Sequence, residues 1–132
     1  MAKQSIVEAV KSGHILVSDG AWGTLLQKRG MTPGECPELW CVTHPEEVLD
    51  IARGYVAAGA DMIKTDSFGG TRCKLAHFGL ADRVAELNRA AAAISRAAAG
   101  PDKWVIASVG PTGLMTAMGD VTEDDFRDFF RE

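Results

Sequence analysis

The sequence has no apolar run long enough to cross a membrane. A transmembrane helix needs about 20 mostly apolar residues, whereas the hydrophobic residues, 46% of this chain, are interrupted by polar ones throughout. The opening residues, MAKQSIVEAV, also lack the apolar core of a secretory signal. The sequence therefore predicts no membrane partner and a cytoplasmic location.

Cysteine is scarce, and the three cysteines present form no disulfide pattern. Cys36, Cys41 and Cys73 are odd in number and lack the spacing of a disulfide framework. Free thiols of this kind are typical of a reducing compartment. The cysteines thus favour the same cytoplasmic location.

An excess of basic residues is missing as well. The formal net charge is −4, and residues 120–132 carry all of it, because six acidic residues there stand against two arginines. The sequence contains no basic patch interleaved with aromatic residues, so no nucleic-acid partner is expected. With 24% charged residues in 132, the composition is that of one ordinary globular domain.

What the sequence does contain is a repeated alternation of strand and helix patterns. Apolar runs predict strands at residues 14–18, 60–63 and 104–109, and each run is followed by a polar or glycine-containing loop. Apolar residues at helical spacing predict helices between these strands. Such an alternation, with connections long enough for crossovers, indicates an α/β fold with a parallel sheet.

Local signals predict where several helices begin. Ser5 and Thr43 are expected N-caps, and Thr122 and Asp125 have the spacing of a capping box. Residues 31–40 contain two prolines and a glycine, so we expect an irregular segment there.

Three parallel strands would leave both edges of their sheet unpaired. A (β/α)8 barrel of about 250 residues closes such edges. The pattern therefore predicts the first three βα units of a TIM-type barrel, incomplete in this chain, with residues 1–132 forming the N-terminal part of one domain. An apolar stripe at Phe126, Phe129 and Phe130 has no strand after it, so we expect contact with the rest of a barrel or self-association.

Polar side chains follow the first two predicted strands directly. Asp19 ends the first strand, and residues 64–67, KTDS, follow the second. Ligands of parallel α/β proteins bind where strands end, which makes these oxygens a candidate binding site. The same residue types also form turns and caps. Spacing alone leaves both interpretations open, and for Asp19 they are an anchor for a cationic group or a turn.

Several motifs occur together in an order and spacing that resemble a known family. They are DGAWGTLLQKRG, PEL, THPEEVLDIARGYVAAGADMIKTDSFGGTRCKL and SVGPTG. In this order they resemble the homocysteine-binding barrel of the homocysteine S-methyltransferases, and most closely the N-terminal module of the cobalamin-dependent methionine synthases. The likeness runs from about Ile15 to Glu132. It implies a (β/α)8 fold and methyl transfer to the homocysteine thiol, which forms methionine.

The resemblance also implies roles for particular residues. Asp19 would bind the homocysteine ammonium, and Thr65 and Ser67 would contribute polar contacts near the amino acid group or the metal pocket. Ser108 and Gly110 would offer hydroxyl and backbone contacts from the third strand. We therefore expect these five positions to bind substrate and expect no catalytic residue within the chain.

Zinc and a methyl donor are implied in the same way. The family holds zinc with three cysteines at positions that fall after Glu132, and the donor expected here is methylcobalamin recharged from methyltetrahydrofolate, with cobalamin bound by other domains. Cys73 and His77 have helical spacing, but two ligands are fewer than the three or four that zinc requires. Asp66 stands where the family commonly has Asn, and two interpretations stay open: the added carboxylate alters the charge of the pocket, or it points away from the pocket.

Two classes of function stay open at the level of sequence. The first is a homocysteine methyltransferase in which this chain supplies part of the substrate pocket and is inactive alone. The second is a non-catalytic, truncated α/β module that acts by amino acid binding or association.

Overall fold

The computed structural model describes residues 4–131. Two short parallel strands, β1 (Met62–Lys64) and β2 (Trp104–Ile106), form its sheet, with Ile63 opposite Val105 in the register. The helices in this range are α1 (Ile6–Lys11), α2 (Gly23–Lys28), α3 (Pro37–Thr43), α4 (Pro45–Ala57), α5 (Arg72–Ala76), α6 (Val84–Ala99) and α7 (Glu123–Phe129), with 3-10 turns at Ala81–Arg83 and Thr116–Met118. The predicted α/β fold with parallel strands is confirmed.

The strand predicted at residues 14–18 is wrong as a full strand. This segment runs parallel to β1 and forms a single bridge, between Ser18 and Met62. The amide of Asp19 donates to the Met62 carbonyl at 3.0 Å, but the Val17 amide donates to the Asp61 carboxylate at 3.1 Å. The Asp61 side chain thus accepts the hydrogen bond that a backbone carbonyl would accept in a regular sheet, and residues 14–18 do not form a continuous strand.

The third predicted strand is shorter than expected for a related reason. β2 ends at Ile106 rather than at residue 109. Beyond that point the Ser108 amide donates to the Thr65 hydroxyl oxygen at 2.9 Å. Where β1 and β2 end, the contact between them therefore changes from backbone hydrogen bonds to a hydrogen bond with a side chain.

Helices α4 and α6 form the core behind the sheet, as their apolar spacing predicts. Ile63 of β1 is fully buried and packs with Ala52 of α4 and Ala99 of α6. A second cluster joins Ile51 of α4 to Ala91 of α6. The helical faces predicted from sequence are thus the faces that are buried.

The segment predicted to be irregular, residues 31–40, contains the start of a helix. Helix α3 begins at Pro37, whose missing N–H is no loss in the first turn, where amides lack helical partners. Thr43 lies inside this helix and donates its hydroxyl to the Leu39 carbonyl at 3.2 Å. The N-cap of α4 is His44, without a side-chain hydrogen bond, so the cap predicted at Thr43 is wrong.

The other two predicted caps are confirmed. Ser5 and Glu8 form a capping box at α1, and Thr122 and Asp125 form one at α7. Short polar side chains satisfy amides in the first turn that have no helical partner, and this local rule depends little on tertiary context.

Several apolar side chains of the described region are exposed. Ile15 is 91% exposed, Val109 65% and Val17 55%. The two predicted strand segments outside β1 therefore carry apolar residues that nothing in residues 4–131 covers. No helix in this range combines the length and apolar character needed to cross a membrane.

Matched substitutions at Ile63 and Ile15 test this division between core and open face. Ile63→Ala should lower the free energy of unfolding by about 2–5 kcal/mol, since it leaves a cavity between α4, α6 and the sheet. Ile15→Ala should change it by less than about 0.5 kcal/mol, because the side chain is already in solvent. Urea unfolding of both variants measures the difference, and equal losses would contradict this core.

Candidate functional site

A cavity of about 460 Å³ lies where the chain leaves the sheet, at the carboxyl ends of the strands. Its wall comes from the loop before α2, from the start of α3, from the loop after β1, from α5 and from the loop after β2. The lining residues used below are Trp22, Glu38, Lys64, Thr65, Asp66, Phe68, Lys74, Phe78 and Ser108. The position agrees with the general location of ligand sites in parallel α/β proteins.

Three of the predicted site residues are joined by hydrogen bonds. The Ser108 amide donates to Thr65 Oγ1 at 2.9 Å, and Ser67 Oγ donates to the Ser108 carbonyl at 2.8 Å. Thr65 Oγ1 and Ser67 Oγ are 2.6 Å apart. Because the Ser67 hydrogen is already used, the Thr65 hydroxyl must donate to Ser67. The Ser67 hydroxyl and the Ser108 amide thus connect the loops after β1 and β2, and the Thr65 hydroxyl orders the first of these loops.

Of these three residues, Thr65 and Ser108 line the large cavity, whereas Ser67 does not. Ser67 lines a smaller cavity of about 140 Å³ on the other side of the same connection, and Ser108 contributes to that wall too. The structure therefore brings the predicted residues together but divides them between two cavities.

Gly110 belongs to the same connection and does not line the large cavity. Its amide donates to the Phe68 carbonyl at 3.0 Å. A Cβ atom at position 110 would lie 2.4 Å from that oxygen, so only glycine permits this approach of the two loops. Gly110 thereby helps to hold Phe68 at the cavity.

Asp19 lies behind the cavity wall, with a fully buried side chain. Its Oδ2 accepts hydrogen bonds from Trp22 Nε1 and from the Lys64 amide, both at 2.9 Å. Its Oδ1 accepts from Ser18 Oγ at 3.0 Å and lies 3.8 Å from Lys64 Nζ. Asp19 is not a cap for α2, whose N-cap is Trp22 without a side-chain bond. It positions two residues that line the cavity.

Glu38 is a cavity residue that sequence reasoning missed. It is 4% exposed, and its Oε1 accepts from the Gly69 amide at 2.6 Å. Its Oε2 accepts from the Cys36 thiol at 3.2 Å. An acid in the first turn of a helix is usually solvated, and residues 31–40 were predicted to be irregular. The one available signal was the PEL motif, which contains Glu38 and to which no role was assigned.

Asp66 is the second buried acid of the wall, at 7% exposure. Burial raises the pKa of Asp66 to about 7, and the neighbouring charge of Glu38 acts in the same direction. The Cys41 thiol lies 3.8 Å from Asp66 Oδ2 and donates to it, which opposes the rise. Near neutral pH, Asp66 therefore exists in both protonation states.

The two buried cysteines have the properties of neutral thiols. Burial raises the pKa of Cys36 to about 11, and burial together with the Asp66 charge raises the pKa of Cys41 further. Nucleophiles and zinc ligands are thiolates. Cys73 donates to the Thr112 carbonyl at 3.6 Å. No group of three or more His, Cys, Asp or Glu side chains among residues 4–131 is placed to hold a metal ion.

The cavity combines charges of both signs with apolar surface. Glu38 and Asp66 supply carboxyl groups, and Lys64 and Lys74 supply ammonium groups, while aromatic rings form much of the remaining wall. A small molecule with ammonium, carboxylate and apolar parts matches this combination. In the described residues, the cavity offers binding groups rather than an activated nucleophile.

Comparison with known proteins gives one family. The sequence pattern of the family described as homocysteine S-methyltransferase matches residues 16–132. The methionine synthase of Mycobacterium tuberculosis is 33% identical over 135 residues, and betaine–homocysteine S-methyltransferase 1 of Sus scrofa is 28% identical over 136 residues. The oxidised form of the homocysteine methyltransferase MmuM from Escherichia coli superposes with a TM-score of 0.74 at 26% identity.

These matches cover nearly all of this chain but only part of each relative. They span 93%, 99% and 97% of the chain in the order given. They span 11% of the mycobacterial protein, 49% of the pig protein and 51% of the E. coli chain. The chain thus corresponds to about half of the shorter relatives.

Substitution of Asp19 tests its positioning role. Asp19→Ala should lower the free energy of unfolding by about 2–4 kcal/mol, because it leaves the Trp22 indole N–H and the Lys64 amide without their buried acceptor. Asp19→Asn, which keeps an acceptor oxygen, should lose less. Asp50→Ala is the control, since Asp50 is an exposed partner of Arg29. An unchanged unfolding midpoint for Asp19→Ala would contradict the positioning role and leave the carboxylate free for a ligand.

Proposed function

The chain belongs to the homocysteine S-methyltransferase family, and we propose that it supplies the homocysteine cavity of an enzyme that transfers a methyl group to the homocysteine thiol, forming methionine. One observation carries the proposal. The family match over residues 16–132 includes every residue that lines the 460 Å³ cavity. The family likeness and the cavity therefore concern the same part of the chain.

The chemistry of the wall supports homocysteine as the ligand. The cavity volume is within the range of about 300–1,000 Å³ typical of small-molecule sites. Glu38 is available to the substrate ammonium, and Lys74 is available to its carboxylate. The aromatic side chains Phe68 and Phe78 suit the methylene groups and the sulfur. This assignment uses both charges of an amino acid.

The substrate roles first expected from the resemblance enter the proposal in two ways. Thr65 and Ser108 face the cavity and are proposed as polar contacts. Asp19, Ser67 and Gly110 are proposed to act by holding the loops that form the wall. The Asp19 carboxylate already accepts three hydrogen bonds within the protein. Its direct contact with the substrate ammonium therefore stays a prediction that the proposal does not use.

Zinc and cobalamin belong to the proposal only as groups that the family implies. Zinc held by residues other than those described here would supply the homocysteine thiol as a thiolate at neutral pH. The metal does not fit the residues described here, since residues 4–131 contain no set of metal-ligating side chains. Methylcobalamin and methyltetrahydrofolate as donors, and the cytoplasmic location, also remain predictions.

We propose further that other strands pair beside the segment of residues 14–18 and complete a barrel, from the same or another polypeptide. The exposed apolar side chains Ile15 and Val17 favour such a contact, as does a sheet of only two strands among the described residues. The likeness to about half of the MmuM chain agrees with it. Self-association is the alternative way to cover the same surface.

Homocysteine binding to the purified chain tests the proposed function. Calorimetric titration should show saturable binding, and Lys74→Met should weaken it about tenfold or more, because a hydrogen bond to a charged group contributes about 1.5–3 kcal/mol. Lys28→Met, on the exposed face of α2, is the matched control. No binding at millimolar homocysteine would contradict the proposal. Binding without methionine formation in the presence of zinc and a methyl donor would favour the binding module.

Sedimentation tests the open face. The isolated chain should associate as its concentration rises, and Ile15→Lys with Val17→Lys should shift it towards monomer, because charged side chains oppose burial of this surface. A compact monomer at every concentration, identical for both proteins, would contradict the proposed contact.

A further inference from the structure

Asp66 is buried in the cavity wall on the loop after β1, and helix α3 packs against it. Three titratable groups of α3 and its N-cap face this region: Glu38, Cys41 and Cys36. Glu38 is buried and also lines the cavity, and Cys41 lies 3.8 Å from Asp66 Oδ2. The nearest environment of Asp66 is therefore acidic and thiol-rich, with little access for water.

The basic groups of the cavity, Lys64 and Lys74, come from β1 and α5. Lys64 Nζ donates to the Gly20 carbonyl at 3.1 Å and lies 3.8 Å from Asp19. Lys74, on α5, extends toward Gly113 in the loop after β2. Lys64 therefore neutralises Asp19, and Glu38 is the neighbouring charge that acts on Asp66.

Two buried carboxyl groups that share one wall are not both ionised easily. Burial disfavours the charged form of each, and a like charge nearby disfavours it again. Glu38 uses its oxygens to accept from the Gly69 amide and the Cys36 thiol, as a carboxylate does. Within residues 4–131, the Asp66 carboxyl accepts a hydrogen bond only from the Cys41 thiol, which is a weak donor. The proton therefore belongs on Asp66.

We propose that Asp66 serves the homocysteine cavity as a neutral carboxylic acid, which donates one hydrogen bond and accepts another as an amide does, and that its ionisation weakens substrate binding. This inference rests on the proposed function and makes Asp66 a specificity-determining residue of that site. Ionisation removes the donor and places a second negative charge beside Glu38. The substrate carboxylate and sulfur then meet a more acidic wall.

The pH range of this effect follows from the pKa of Asp66, about 7 in the folded chain against 3.8 for an ordinary aspartate. At pH 8 only about one molecule in ten keeps the proton, so the apparent dissociation constant should be about tenfold larger than that of the protonated form. At pH 6 most molecules are protonated. Binding should therefore weaken as the pH rises through 7.

Titrations with homocysteine from pH 6 to pH 8.5 test the inference on the full chain and on Asp66→Asn. The asparagine variant keeps one donor and one acceptor and cannot ionise. The ratio of the two dissociation constants, wild type over variant, cancels the ionisation of homocysteine itself. It should rise about tenfold between pH 6 and pH 8. A ratio independent of pH would overturn the inference while leaving homocysteine binding intact.

Two further variants identify the groups responsible. Glu38→Gln removes the neighbouring charge. When it is introduced into both the wild type and Asp66→Asn, the pH midpoint of the ratio of their dissociation constants should move to lower pH. Asp102→Asn, an exposed aspartate away from the cavity, should reproduce the wild-type curve. A midpoint that is unchanged by Glu38→Gln, or that is abolished by Asp102→Asn, would count against Asp66 as the titrating group.

Thermal unfolding supplies a readout that needs no ligand. A folded-state pKa above the unfolded value means that the folded chain holds an extra proton between about pH 4 and pH 7, so this stabilisation is full below pH 4 and is lost as the pH rises through 7. Relative to Asp66→Asn, the wild-type melting temperature should fall by several degrees over that window. A constant difference would overturn the neutral acid. Loss of homocysteine binding in all proteins with this titration intact would instead refute the proposed function.

Discussion

The hydrogen bonds between the loops after β1 and β2 are the constraint on which the cavity depends. Thr65, Ser67 and Ser108 exchange donors and acceptors across the two strand ends, and the Gly110 amide adds a contact to the Phe68 carbonyl. These polar groups are buried or half-buried, so each lost partner would cost free energy. The same contacts end the β-ladder at Ile106 and keep the two loops close enough to form one wall.

Two carboxylates join the other segments of the cavity wall to β1 and to the loop after it. Asp19 links the loop before α2 to β1 through Trp22 and the Lys64 amide, and Glu38 links α3 to the loop after β1 through the Gly69 amide. The bonds to the Lys64 and Gly69 amides join segments that are distant in sequence. Two acids thus act as fixed acceptors, and Asp66, held near the second of them, becomes the acid with the shifted proton affinity. A structural carboxylate and a titrating one arise from the same packing of α3 on the sheet.

The chain covers only part of its relatives, and apolar side chains beside its sheet are exposed. The chain corresponds to about half the length of the shorter homocysteine methyltransferases it resembles, and Ile15, Val17 and Val109 lie exposed beside the sheet. Under the proposed function, the groups described here bind and position the substrate rather than activate it. Under the proposed function, the charge and hydrogen-bonding character of the substrate end are therefore set by Glu38, Asp66 and the two lysines of the wall, independently of the group that carries the methyl transfer.

The sequence by itself determined the local and periodic features of this protein. The capping boxes at Ser5 and Thr122, the buried faces of α4 and α6, and the polar set at the end of β1 all follow from rules that act within a few residues. The motif order also identified the family. Tertiary structure alone decided that residues 14–18 form a single bridge, that Pro37 begins a helix, and that Glu38 rather than Asp19 lines the cavity. The physical reason is that a buried carboxylate takes its role from the groups packed against it, and the backbone amides that Asp19 and Glu38 accept from lie 45 and 31 residues away in the chain.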